Sequence, residues 1–317
     1  MGSENEMIPC LDFSGVDDEG EGSEKWEKMS KKVREALESY GCFILMYDKN
    51  KIPKSFCENM LLGMKELFDL PEEIKKKHVS TRPYSSYKSD CPKFPLTQTF
   101  GIDDVFVEDN ALDFTNLMWS QGNPTFSETM KSLSSKMHEL SFLILKMIKD
   151  SYDLPKQYSL DIEDLKNTGH LRLMKYKTPK TNQDCETALL PHTDKSTITM
   201  LYQNEVQGLH VQTKAKKWIQ LNIPQEGFIV IVGDILKAWS NGRIHAPAHK
   251  VVMCGDKERY SFAEFTLPKK DVKIEVPSEL VDGEVHPLRY RSFTYGDYLE
   301  YFVSTLKENA LEEYIGI

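Results

Sequence analysis

Two histidines and an aspartate in the second half of the chain have the types and order to hold a divalent metal. His192-Thr193-Asp194 sets an imidazole and a carboxylate two residues apart, and on a strand such positions project to the same side. A distant histidine, His249, opens the apolar run Lys250-Val251-Val252-Met253 and can supply a second imidazole from a neighbouring strand. Two imidazoles and one carboxylate can hold iron(II) on one face, leaving open positions for a chelating co-substrate and for oxygen. Ten residues beyond His249, Arg259-Tyr260-Ser261 puts a guanidinium and a hydroxyl on one side of the following strand. That fork and extra donor suit the far carboxylate of such a co-substrate.

Each part alone has a plainer reading. A single His-x-Asp is weak evidence for a metal, and Arg-x-Ser alone describes a strand with an exposed polar face. Their order along one chain is what gives them weight. A zinc hydrolase can use the same His192, Asp194 and His249 with a bound water, but it leaves Arg259 and Ser261 without a task. A non-catalytic protein that binds a small acid is a further alternative. His245 precedes His249 by four residues and competes for the third ligand position; its setting, Arg243-Ile244-His245-Ala246-Pro247, reads as a turn into the strand, so His249 is preferred and His245 is assigned to the substrate cavity. His78, His138, His170, His210 and His286 read as surface or packed histidines.

The elements that must position these residues follow from periodicity. Trp26, Met29, Val33, Leu37 and Tyr40 recur at helical steps before a stop at Gly41. A second helix starts at Pro53 and buries Phe56, Met60, Met64, Leu67 and Phe68. Short strands are expected at Ile8–Phe13 and Cys42–Met46. Residues 80–125, broken by Pro83, Pro92, Pro95, Gly101, Gly122 and Pro124, read as a long irregular segment. A third helix spans Ser127–Ser151, with a Met-rich stripe that reads as core filling. From Leu171 onward, short β-prone runs separated by Gly, Asn and Pro predict an antiparallel sandwich or barrel. The tail from Thr294 returns to helical spacing.

Composition narrows the function classes. A net charge of -9 argues against a general nucleic-acid binder, since phosphate affinity needs clustered Lys and Arg. No stretch reaches the roughly 20 apolar residues of a membrane span, and the acidic start lacks the features of a secretory signal. The six cysteines, Cys10, Cys42, Cys57, Cys91, Cys185 and Cys254, show no CxxC pair and read as reduced thiols of a cytoplasmic protein.

The stretch Gly233-Asp234 through Ser240-Asn241-Gly242-Arg243, leading into His249, joins these parts into one pattern: His-x-Asp, Gly-Asp, Ser-Asn-Gly-Arg, His, Arg-x-Ser. It resembles the plant 2-oxoglutarate- and iron(II)-dependent dioxygenases. Leu171-Arg172-Leu173-Met174-Lys175-Tyr176 and Asn116 to Asn123 are similar to the subgroup that includes enzymes modifying glucosinolate side chains, and Ile8 to Phe13 with Ser39 to Phe43 match the front domain. The resemblance implies an α+β fold: a double-stranded β-helix (jelly-roll) core with flanking helices and a helical N-terminal section. The expected division is 1–125 (front domain), 126–168 (long helix and linker), 169–269 (catalytic core) and 270–317 (C-terminal extension). It further implies iron(II) on His192, Asp194 and His249, 2-oxoglutarate on Arg259 and Ser261 with help from Tyr176, oxygen as oxidant, and ascorbate as supporting reductant. The activity implied is hydroxylation, desaturation or demethylation of a small specialised metabolite or hormone by a monomer, with release of succinate and carbon dioxide. Phe106, Trp119, Phe265, Phe293 and Tyr298 are expected, with His245, to line the substrate pocket. Met174 and Lys250 depart from the family pattern, which commonly has asparagine and arginine there.

Overall fold

The alternation along the β-prone runs sorts every strand into an inward and an outward set, and two sheets result. The computed structural model describes residues 7–16, 18–89, 91, 94, 96–155, 168–179 and 185–317. A large sheet runs in the order β1 (Cys10–Asp12), β2 (Cys42–Met46), β9 (Gly227–Val232), β6 (Ile198–Gln203), β11 (Arg259–Thr266), β4 (Gly169–Tyr176), β3 (Thr97–Asp103). A smaller sheet runs β5 (Cys185–His192), β10 (His249–Cys254), β7 (Leu209–Gln212), β8 (Trp218–Gln220). A short ribbon, β12 (Lys273–Ile274) with β13 (Phe293–Thr294), serves the C-terminal part. Apart from the parallel β1–β2 pair, the named strands pair antiparallel, as the jelly-roll expectation requires.

Between the sheets lies a core that includes Met174, Tyr176, Ala188, Leu201, Leu209, Val211, Val251, Met253, Ala263 and Phe265. On the outer face of the large sheet, Leu171, Leu173, Met200, Tyr202, Phe228, Val230 and Phe262 pack against helices in a second, larger core. Burying each such side chain contributes about 1.5–3 kcal/mol.

The helices of that layer include α1 (Glu24–Ser39), α2 (Lys54–Asp69), α3 (Glu72–Lys75), α4 (Asn110–Met118) and α5 (Pro124–Ser151). Ser23 caps α1 by accepting from the Trp26 amide, and the Trp26 indole then donates to Asp150 of α5 at 3.0 Å. Asn123 caps α5, which opens on Pro124 and buries Met130, Leu133, Met137, Ile144 and Ile148. Beyond the core strands come α6 (Asp234–Trp239), α7 (Tyr295–Thr305) and α8 (Ala310–Ile315). No helix among the described residues is long and apolar enough to cross a membrane.

Several expectations are corrected. The segment 80–125 is not irregular throughout: β3 pairs along its whole length with β4, and α4 packs on α5. Pro83 and Pro124 lie outside the ladder, so they punctuate without preventing it. The helical tail divides into α7 and α8 at Leu306, which takes a left-handed φ of 51°. Cys185 and Cys254 are not free thiols. They are cross-strand partners in the β5–β10 register and are joined as a disulfide across 69 residues of sequence. Only the pairing of the strands brings them together, which no local spacing announces. Most of the linker expected before residue 168, residues 156–167, lies outside the described residues.

Candidate metal and anion site

The antiparallel pairing of β5 with β10 sets His192 directly opposite His249, with ring centroids 4.3 Å apart. His192 Nδ1 bonds to the Leu190 carbonyl at 2.9 Å and His249 Nδ1 to the Pro247 carbonyl at 3.3 Å. A carbonyl can only accept, so each Nδ1 carries the proton and each Nε2 keeps its lone pair. Asp194 Oδ1 lies 3.7 Å from His192 Nε2 and 3.5 Å from His249 Nε2. These donor atoms all lie within 4.8 Å of one another.

Electrostatics favour a cation at their centre. Burial pulls the Asp194 carboxyl up, but the imidazoles of His249 and His192 prevail and hold it below the usual carboxylate range. Desolvation, and then the His249 ring, hold His192 below the usual imidazole range, so it is a neutral ligand at pH 7. Asp194 Oδ2 is buried with no hydrogen-bond partner among the described residues. A buried carboxylate with an unpartnered oxygen beside two imidazole Nε2 atoms fits a divalent ion.

Asp194 itself lies past the end of β5, not on the strand as the His-x-Asp spacing suggests. Its loop is held from behind by Asp234. The Asp234 amide donates to the Asp194 carbonyl at 2.8 Å. Its Oδ2 accepts from Lys195 Nζ at 2.6 Å, Thr193 Oγ1 at 3.2 Å and the Tyr298 hydroxyl at 2.6 Å. Gly233 allows this approach: a Cβ there would lie 2.0 Å from the Ser196 carbonyl oxygen. The Gly-Asp pair was visible in the sequence, and its role as the brace of the ligand loop was not.

The anion site lies on β11. Arg259 is fully buried, and burial draws its pKa down. Its Nη2 and Nε donate to Gln203 Oε1 at 2.8 and 3.2 Å, its Nη1 donates to Ser261 Oγ at 3.1 Å, and Cζ lies 4.9 Å from the Tyr176 ring centroid. No carboxylate pairs with it among the described residues, which fits a site prepared for an anionic ligand. Gln203 is a member of this cluster that sequence reasoning missed; its register opposite Ser261 is the signal. Met174 accepts from the Tyr176 hydroxyl at 3.3 Å, so the sulfur takes over a polar contact. Lys250 points away from the metal ligands and lies 4.5 Å from the Trp218 ring centroid.

The aromatic residues expected to line a pocket divide between the two cores. Phe265 is on the inner face with Arg259 and Ser261. Phe106, Trp119, Phe293 and Tyr298 belong to the outer core, where Phe106 meets the His138 ring and Trp119 meets Phe126. His245 is not brought to the metal ligands: its amide donates to Leu37 of α1, its ring interacts with the Gln212 backbone, and burial pushes its pKa down to about 4.

Comparison with known proteins agrees with this architecture. The model of the 2OG-Fe(II) oxygenase superfamily matches residues 168–268, and that of the non-haem dioxygenase N-terminal domain, named for morphine synthesis, matches residues 8–93. The Arabidopsis thaliana protein described as "Probable 2-oxoglutarate-dependent dioxygenase AOP1.2" is 39% identical over 302 residues, covering 93% of this chain and 91% of its own. The rice dioxygenase for auxin oxidation superposes with a TM-score of 0.82 at 28% identity, over 98% of this chain and 100% of its own. The Arabidopsis thaliana dioxygenase for auxin oxidation 1, in binary complex with 2-oxoglutarate, gives 0.77 at 25% identity, over 89% and 100%. With a family domain spanning the core, relatives alike along nearly their whole length and a His/Asp/His cluster at the meeting of two sheets, the chain belongs to the 2-oxoglutarate- and iron(II)-dependent oxygenases.

Proposed function

We propose that His192 Nε2, His249 Nε2 and Asp194 Oδ1 hold the iron(II), and that Arg259 and Ser261, with Tyr176 beside them, receive the far carboxylate of 2-oxoglutarate. The observation that carries this reading is Arg259: a fully buried guanidinium, without a carboxylate partner among the described residues, on a strand lining the same barrel as the ligand cluster. A zinc hydrolase would leave that buried charge uncompensated.

When bound, the iron and its keto acid supply the oxidation, consuming oxygen and releasing succinate and carbon dioxide. The chain's own contribution is positional. Leu190 and Pro247 fix the tautomers and aim the imidazoles, Asp234 braces the loop of Asp194, and Gln203 holds the Arg259 fork open toward the barrel interior. The side chain of His192 is 35% exposed against 6% for Asp194, so the ligand cluster opens to solvent on the His192 side.

The substrate is a small molecule. Because relatives include enzymes named for auxin oxidation and the Arabidopsis AOP dioxygenases, we read it as a plant hormone or specialised metabolite that is hydroxylated, desaturated or demethylated. We read the active form as a monomer. Purified protein supplied with Fe(II), ascorbate and 2-oxoglutarate should form succinate in an oxygen-dependent way. Equal turnover without oxygen, or with zinc in place of iron, would overturn the reading.

A further inference from the structure

The registers of the large sheet arrange its inner face in rows. Thr97, Tyr176 and Arg259 stand side by side, followed by Thr99, Met174, Ser261 and Gln203. The next row is Gly101, Arg172, Ala263 and Leu201, and the last is Asp103, His170, Phe265 and Thr199. Two guanidiniums therefore share this face, Arg259 in the first row and Arg172 in the third. At about 6.7 Å per two residues, the rows lie roughly 13 Å apart along the strands.

Arg172 makes no ion pair among the described residues, and Asp194 acts on it only as a weaker, through-space charge. Its Nε is buried without a hydrogen-bond partner, and among the described residues no side chain or carbonyl bonds to its guanidinium, which lies 5.5 Å from the Tyr84 ring centroid. Asp103, one row away, is engaged by His170 Nδ1 at 2.9 Å, Ser85 Oγ at 2.9 Å and Arg82 at 3.6 Å. In its own row Arg172 is flanked by Gly101 and Ala263, two of the smallest residues, which offer it no polar side chain. Gly101 is needed there for another reason: a Cβ would lie 2.0 Å from the carbonyl oxygen of Tyr84, in the loop that closes over the row.

On the reading of the site proposed above, the charges at the cluster balance without Arg172. A divalent iron, the Asp194 carboxylate, a dianionic 2-oxoglutarate and the Arg259 cation cancel. The Arg172 charge is left over, in a partly buried position where an unpaired cation is costly. Phe265 in the next row and Leu201 in the same row add an apolar surface beside it.

We propose that Arg172 anchors an anionic group of the substrate, and that the substrate class is a small carboxylic acid with an apolar body. The guanidinium would grip the carboxylate while the apolar body rests against Phe265 and Leu201.

The test uses full-length protein loaded with Mn(II) and 2-oxoglutarate without oxygen. Calorimetry would compare phenylacetic, indole-3-acetic and cyclohexylacetic acids with their methyl esters. At least one acid should bind about 10- to 100-fold more tightly than its ester. Arg172→Gln should erase that preference while 2-oxoglutarate affinity stays within about threefold, and Arg172→Lys should keep part of it. Acid and ester binding alike to the unmodified protein, or no acid binding, would overturn the proposal, as would an equal loss of 2-oxoglutarate affinity in Arg172→Gln. Failure of the unmodified protein to bind 2-oxoglutarate would instead overturn the underlying site assignment, and this proposal with it.

Discussion

His192 and His249 are direct cross-strand partners at one end of the β5–β10 ladder, and Cys185 and Cys254 are direct partners at the other. The same ladder thus carries both imidazoles of the ligand cluster and the bond that ties its far end. Asp194 completes the cluster from the loop beyond β5, with Oδ1 within 3.7 Å of both Nε2 atoms.

Asp194→Ala should lower Mn(II) affinity by more than about 100-fold, since even partners standing behind a metal ligand are worth 10- to 100-fold. Equilibrium dialysis measures it. Retained affinity would remove Asp194 from the ligand set.

Arg259→Ala should weaken 2-oxoglutarate binding by about 100-fold, the loss of two charge-assisted hydrogen bonds, while metal affinity stays within about threefold. Calorimetry on Mn(II)-loaded protein separates the two. A matching loss of metal would mean that the arginine supports the fold around the cluster and does not grip the co-substrate.

Glu264 gives a pH signature. It is fully buried between β11 and α5, where Ser134 donates to it, and burial pushes its carboxyl from 4.5 up to about 8. Between those values the folded state holds a proton that the unfolded chain has released, so stability falls as pH rises through the window. Glu264→Gln should be more stable than the parent at pH 8.5, by on the order of 2–4 kcal/mol, with the advantage shrinking toward pH 5. Denaturant midpoints at the two pH values decide it, and an advantage that does not change with pH would show that the carboxylate is not the titrating group.

Cys254→Ser should cost about 4 kcal/mol of stability by chain entropy for a loop of 69 residues. The loss should match that caused by reducing the parent protein, and metal affinity should be unaffected. If reductant leaves the parent unchanged and the variant is still destabilised, packing and not the bond is responsible.

What the sequence revealed and what it hid divide along a physical line. Periodicity exposed α1, α2 and α5, because each buries a continuous stripe. The residue order from His192 to Ser261 was legible because chemistry restricts the residue types. Hidden features depend on which strands become neighbours: β3 is ordered by β4, the Cys185–Cys254 pair by the β5–β10 register, and Gln203 by its place opposite Ser261. Strand parity marks the interior residues of β4 and β11. Phe265 shares parity with Arg259 and Ser261, and Arg172 shares it with Tyr176, whereas Phe106, Trp119, Phe293 and Tyr298 lie in the other core.

The alternation of β4 and β11 gives this barrel a capacity for change. Residues that pack the helices, such as Leu171, Leu173 and Phe262, interleave with those that face the interior, and the interior rows place Arg259 and Ser261 at one end and Arg172 and Phe265 at the other. A mutation at the Arg172 end can alter which molecule is accepted while the Arg259 end and the helix-facing core stay as they are. New chemical preferences are then reachable by single steps through folded, co-substrate-competent intermediates, a condition for gene duplicates to diverge.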